Sequence, residues 1–169
     1  MPQPIDFGSI TCSISRAFAL LGETWAPLII RDVYCGIVRF DGLCEDLGVA
    51  RSVLARRLAR LVDAGVLCRE RYSDTHPRDE YHLTPMGLDL VPAVMAVMAW
   101  GDRWLDEGAG PPARLRHAPC GHDTVPTVCC SECGEPLRAR DVIPHQGPGG
   151  RQGFGTMVIG RVVGPAPHR

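Results

Sequence analysis

The sequence predicts a mainly α-helical fold with one small β-hairpin, followed by a small metal-held module. Three observations predict it. Apolar stripes with helical spacing, punctuated by glycines, fill residues 13–105. Two short β-rich runs flank a polar stretch at 73–79. Two knuckles of metal-ligand spacing stand near the C-terminus. With 169 residues, 45% hydrophobic and 22% charged, the chain can bury one moderate core and carry an appendage.

The elements follow in order. Ile14, Ala17, Phe18 and Leu21 take the i, i+3, i+4, i+7 spacing of a short amphipathic helix that Gly22 breaks. A second helix runs from Trp25 to Tyr34, with Pro27 tolerable in its first turn and Gly36 ending it. Asp41 is expected to cap a third helix through Leu47, which Gly48 stops. Residues 51–64 carry the clearest helical pattern. Val53, Leu54, Leu58, Leu61 and Val62 share one side, and Ser52, Arg56 and Arg60 fall roughly opposite. Ala50 is a poor N-cap for it, and Gly65 terminates it. Val66–Tyr72 and Glu80–Leu83 read as strands of a hairpin with a polar tip. Thr84 caps and Pro85 starts a long helix through about Leu105. Its apolar residues, Leu90, Val91, Val94, Met95, Val97, Met98, Trp100 and Trp104, spread almost all round, so it needs a second partner besides the domain core. Pro92 should kink it.

Composition narrows the function classes. Net charge is −1, which argues against a general polyanion binder, but residues 51–71 hold six arginines against Asp63 and Glu70. All 18 basic residues are arginine, whose rigid fork suits phosphate and guanine contacts. No apolar run reaches the ~18 residues that a membrane helix needs. Residues 1–11 show no secretory signal pattern, and with eight cysteines this points to a reducing cytoplasm. No Gly-rich phosphate loop, GxSxG or convincing Cys/His/Asp set supports an enzyme.

Three helices, then a helix with an arginine face, then a hairpin, is the order of a winged helix-turn-helix. The 51–64 helix can bury one face and lay Arg56 and Arg60 in a major groove, with Arg51 and Arg57 in the same basic segment. Its first amides and Ser52 can take a phosphate. Arg78 at the hairpin tip can reach an adjacent minor groove. The fold class is therefore mainly α with a small β-hairpin wing: a winged helix-turn-helix domain plus a small zinc-ribbon-like C-terminal module. The domain spans 1–107, a linker 108–114, the module 115–142 and a Gly/Pro-rich tail 143–169, poorly ordered by composition.

The module rests on His117-Ala118-Pro119-Cys120-Gly121 and Cys130-Ser131-Glu132-Cys133-Gly134, an HxxCG and a CxxCG. Each turn offers two soft donors three positions apart, and together they supply the four ligands of a closed structural zinc site: His117, Cys120, Cys130 and Cys133. His122 is the rival to His117, and Cys129 is a spare thiol. A four-ligand site leaves no open position for catalytic water. Cys35, Cys44 and Cys68 lie among apolar residues and read as core fillers.

Several motifs together resemble HxlR-type regulators. They are Cys12-Ser13-Ile14-Ser15-Arg16-Ala17, Leu21-Gly22-Glu23-Thr24-Trp25, Ile29-Ile30-Arg31-Asp32, Arg39-Phe40-Asp41, Leu54-Ala55-Arg56-Arg57-Leu58, Asp63-Ala64-Gly65-Val66-Leu67, Arg71-Tyr72-Ser73-Asp74, Glu80-Tyr81-His82-Leu83-Thr84 and Trp100-Gly101-Asp102-Arg103-Trp104. A subset of that family is also similar through the knuckles. The resemblance implies a homodimeric, MarR-related transcription factor on a double-stranded DNA operator, probed by a small molecule, oxidant or electrophile. It implies Cys12 as the redox sensor, at a helix start where amide dipoles favour a thiolate. The alternative sensor is an effector pocket lined by Trp25, Met95, Met98 and Trp100. The competing functions are a zinc-dependent protein-interaction module and a thiol-dependent enzyme. Departures from the family pattern are Thr24 before Trp25, Ala26-Pro27 after it, and His76 before Pro77.

Overall fold

The structure, a computed structural model, describes residues 10, 12–22, 24–71, 79–145 and 147–150. The element order is α1 (Ser13–Leu21), α2 (Trp25–Tyr34), α3 (Phe40–Leu47), α4 (Arg51–Asp63), β1 (Leu67–Arg71), β2 (Asp79–Leu83), α5 (Pro85–Trp104), β3 (Leu115–His117) and β4 (His122–Thr124), with a 3-10 turn at Ala139–Asp141. The chain divides into two compact units, one of residues 24–127 and one of residues 1–23 with 128–169. The first unit therefore takes in the 108–114 segment and the β3–β4 hairpin along with the winged helix.

The core of the larger unit lies where α2, α3, α4, α5 and the hairpin meet. Ile29 and Ile30 of α2, Leu43 of α3, Leu54, Leu58 and Leu61 of α4, and Val66 and Leu67 at the start of β1 are all essentially sealed from water. Each such side chain contributes about 1.5–3 kcal/mol by burial. β1 and β2 pair antiparallel in the register Leu67↔Leu83 to Arg71↔Asp79. A third short strand contact completes the sheet. The Tyr81 amide donates to the Val38 carbonyl at 2.8 Å, and the Arg39 guanidinium pairs with Glu80 at 3.0 Å. The tip of the hairpin, with Arg78, lies outside the described residues, as does the sequence from 151 onward.

Backbone turns set the helix ends. After α2 and α4 the chain closes in the same six-residue motif. The amides of Ile37 and Val66 reach back to the carbonyls of Asp32 and Leu61, both at 2.9 Å, and Gly36 and Gly65 supply the required positive φ of 95° and 76°. Val66 is thereby delivered from the end of α4 straight into the core.

Three details differ from expectation. Asp41 does not cap α3. Arg39 holds the extended cap position, and Asp41 sits inside the first turn, where its carboxylate reaches Arg51 at 2.6 Å. Leu105 falls one residue past the end of α5, which closes at Trp104 with Pro92 exposed inside it. Cys35 is an exposed residue at the C-terminal end of α2, just past its buried face, while Cys44 and Cys68 are half-buried.

Sequence pattern did not mark Asp32, which is 1% exposed. Its Oδ1 accepts from Arg31 Nε at 2.7 Å, and the same guanidinium reaches Asp46 of α3 at 3.2 Å, tying α2 to α3. Burial raises the Asp32 carboxyl above its ordinary 3.8, against the opposing pull of Arg31. A native state that holds this proton more firmly than the unfolded chain loses stability as pH rises from 3.8 through the raised value. Asp32→Asn is expected to remove that slope. In urea melts, the stability difference between the two proteins should change with pH across that window and be flat above it. A difference independent of pH throughout would contradict the assignment.

Candidate nucleic-acid interface

α4 is two-faced because Leu54, Leu58 and Leu61 pack on α2, α3 and β1. At 100° per residue that burial leaves Arg51, Ser52, Ala55, Arg56, Ala59 and Arg60 exposed. Ser52, Arg56 and Arg60 thus share an exposed stripe of the helix. Arg57 is half-buried on the flank of the helix. No side chain caps the N-terminus of α4, since Ala50 has none to offer. The positive end of the helix dipole therefore faces outward next to Ser52.

Arg51 opens α4 already engaged. Its guanidinium bonds Asp41 at 2.6 Å and lies 4.8 Å from the centre of the Phe40 ring. The hydrogen bond from Arg51 to Asp41, with the attraction of the two charges, raises the Arg51 pKa further. Asp41 thus occupies, from within the protein, the place at the start of α4 where a phosphate oxygen could meet Arg51. Both side chains are open to solvent, so an incoming anion can exchange with the carboxylate. Position 41 reads from sequence as a helix cap; its link to a residue ten positions on appears only in three dimensions.

Cys12 stands at the N-cap of α1 in extended conformation, half-buried, with its carbonyl accepting the Arg16 amide at 3.0 Å. Its thiol does not cap the helix. Of the four residues expected to line an effector pocket, Trp25, Met95 and Met98 are half-buried and Trp100 is 57% exposed. Met98 lines a cleft formed with residues 111–126.

The two knuckles have the same backbone build. The Gly121 amide donates to the His117 carbonyl at 2.8 Å, and the Gly134 amide to the Cys130 carbonyl at 2.9 Å. The two glycines have φ of 71° and 75°, a conformation that a side chain would resist. Within the first turn His117 Nδ1 stands 3.2 Å from Cys120 Sγ. In the second, backbone amides of Cys133 and then Glu132 point at the Cys130 sulfur and lower its pKa, which favours the thiolate. His122 pairs with His117 across the β3–β4 hairpin. Among the described residues no three His, Cys, Asp or Glu side chains form a ready metal cluster.

Comparison with known proteins accords with this geometry. The family model described as HxlR-like helix-turn-helix matches residues 20–109. An uncharacterized helix-turn-helix-type transcriptional regulator of Mycobacterium tuberculosis is 44% identical over 137 residues, covering 81% of this chain and 87% of that protein. The crystal structure of PA1607, provisionally assigned as a transcription factor, superposes with a TM-score of 0.72 at 29% identity, over 82% of this chain and 96% of that one. The redox regulator HypR in its reduced form superposes with a TM-score of 0.53 at 25% identity, over 56% of this chain and 95% of its own.

Proposed function

The chain belongs to the HxlR-like helix-turn-helix family of transcription regulators, and from that premise we propose that it binds an inverted-repeat DNA operator as a homodimer and acts as a repressor. The observation that carries this is the exposed Ser52, Arg56 and Arg60 stripe, fixed by the burial of Leu54, Leu58 and Leu61 on the opposite side of α4. An exposed helix of this kind fits a major groove, with its uncapped N-terminus toward a phosphate. Arg78 on the hairpin tip and Arg57 on the flank are assigned backbone or minor-groove contacts.

A gel shift with the DNA upstream of the chain's own gene tests the reading. Arg56→Ala and Arg60→Ala should each cost about 1–3 kcal/mol where they read a base edge. Asp41→Asn should tighten binding, because it releases Arg51 to phosphate. Wild-type affinity in both arginine variants would remove the recognition face. For the response, we assign Cys12 as the thiol switch, on the likeness to a redox regulator and its place at a helix start. In the same assay diamide should release the wild type and leave Cys12→Ser bound; release of both would exclude Cys12.

The homodimer reading rests on apolar surface left open. Val97, Trp100 and Trp104 of α5 are 68%, 57% and 64% exposed, and Ile14 and Phe18 of α1 are 68% and 64% exposed. Surfaces of this kind mark contact sites in soluble proteins. Trp100→Glu should shift the protein to monomer in analytical ultracentrifugation. A wild type that sediments as monomer at micromolar concentration would contradict the dimer.

The C-terminal turns are assigned one structural zinc per chain, held by His117, Cys120, Cys130 and Cys133. The chemistry of the donor set fits: three thiols and one imidazole, in two turns of matching backbone, with the Cys130 thiolate favoured by neighbouring amides. Residues 115–142 are nearly all exposed, so they have little apolar core of their own to hold them. Protein purified without chelator should contain one equivalent of zinc. Its removal should expose 115–142 to protease and spare the helical domain. Equal protease resistance with and without metal would refute the assignment.

A further inference from the structure

The larger unit holds a cleft of about 530 Å³ between the last turns of α5 and residues 111–126. Met98 and Ala99 form one wall, and Pro111, Leu115, Val125 and Pro126 the other. That size and apolar lining fit a small organic molecule. Much of the second wall lies past residue 109, where the match to the family model ends, so this cleft is not part of the shared helix-turn-helix frame.

The charged groups at its rim are unequal. Asp123 receives Arg116 at 3.2 Å and Arg114 at 4.0 Å, so the hairpin's carboxylate is already neutralised. Arg114 and Arg116 are 78% and 71% exposed at the side chain, where water screens them. Arg103 is exposed as well and lies over the ring of Trp104 at 5.0 Å. Asp102 differs. It lines the cleft and is half-buried, and no described residue gives it a hydrogen bond or an ion pair. Asp102 is thus a carboxylate at the cleft that no described arginine engages.

We propose that this cleft binds lipophilic cations, with the apolar body between Met98 and Leu115 and the positive group at Asp102. This deepens the regulator reading by naming an effector class and a site for it. It does not use Cys12, and the site is separate from the α4 face. A molecule held there would bridge α5 to the β3–β4 hairpin and so bear on the helix whose far side is assigned to the dimer.

The test uses the full chain without DNA, so its failure is distinct from failure to bind an operator. Isothermal titration would compare 4-phenylbutylamine, 4-phenylbutanol and 4-phenylbutyrate, which share one apolar body and differ in charge. The amine should bind at least about tenfold more tightly than the carboxylate. Asp102→Asn should abolish that preference and leave the alcohol unchanged, which also shows that the variant is folded. Leu115→Asp should weaken the alcohol. Equal affinity for all three, preference for the carboxylate, no binding of any, or an amine preference that survives Asp102→Asn would each overturn the proposal.

Discussion

Leu54, Leu58 and Leu61 can be buried together only if Ser52, Arg56 and Arg60 are not. That constraint orders the rest of the structure. Three leucines on one side of α4 hold it against α2, α3 and β1. Their burial outweighs the rotational freedom that the helix would otherwise keep, since each contributes about 1.5–3 kcal/mol. The arginine face is then not chosen independently. It is the complement of the core, presented at an angle that the core fixes.

The other elements serve that placement. The shared glycine-terminated turn after α2 and α4 stops each helix at a set residue and redirects the chain inward. The Arg31 bridge between Asp32 and Asp46 ties α2 to α3, the helix that precedes α4. Asp41 then holds Arg51 at the start of α4. The acidic groups around this joint thus do two different jobs. Asp32 is withdrawn from water and braces the frame, whereas Asp41 stays in water and can be exchanged for an external anion.

Much of the fold was legible because its signals are local. The apolar period and the stops at Gly36, Gly48 and Gly65 place α2, α4 and the end of α3 to within a residue, while α3 starts two residues before a cap at Asp41 implies, and the hairpin follows from two β-rich runs. The equal turns at Gly121 and Gly134 were visible from spacing alone. What sequence could not show depends on distant partners. Asp41 looks like a cap until Arg51 is seen beside it. Asp32 breaks the apolar pattern of α2 yet is buried, because its neighbour supplies a charge. A side chain at Gly87 would collide with the Val66 carbonyl, so its absence permits the close approach of α5 to the start of β1, a contact that no local pattern marks. The cleft beside Met98 joins segments on either side of a Gly/Pro stretch, and only the fold brings them together.

The central claim is that the open stripe of α4 reads the major groove of a two-fold operator. Methylation interference on a bound operator fragment tests it most directly, since the reagent marks guanine N7 in the major groove and adenine N3 in the minor groove. Interference should appear at guanine N7 in two half-sites whose centres lie about one helical turn apart, or a multiple of it. Interference confined to adenine N3, or to a single unrepeated site, would contradict the account.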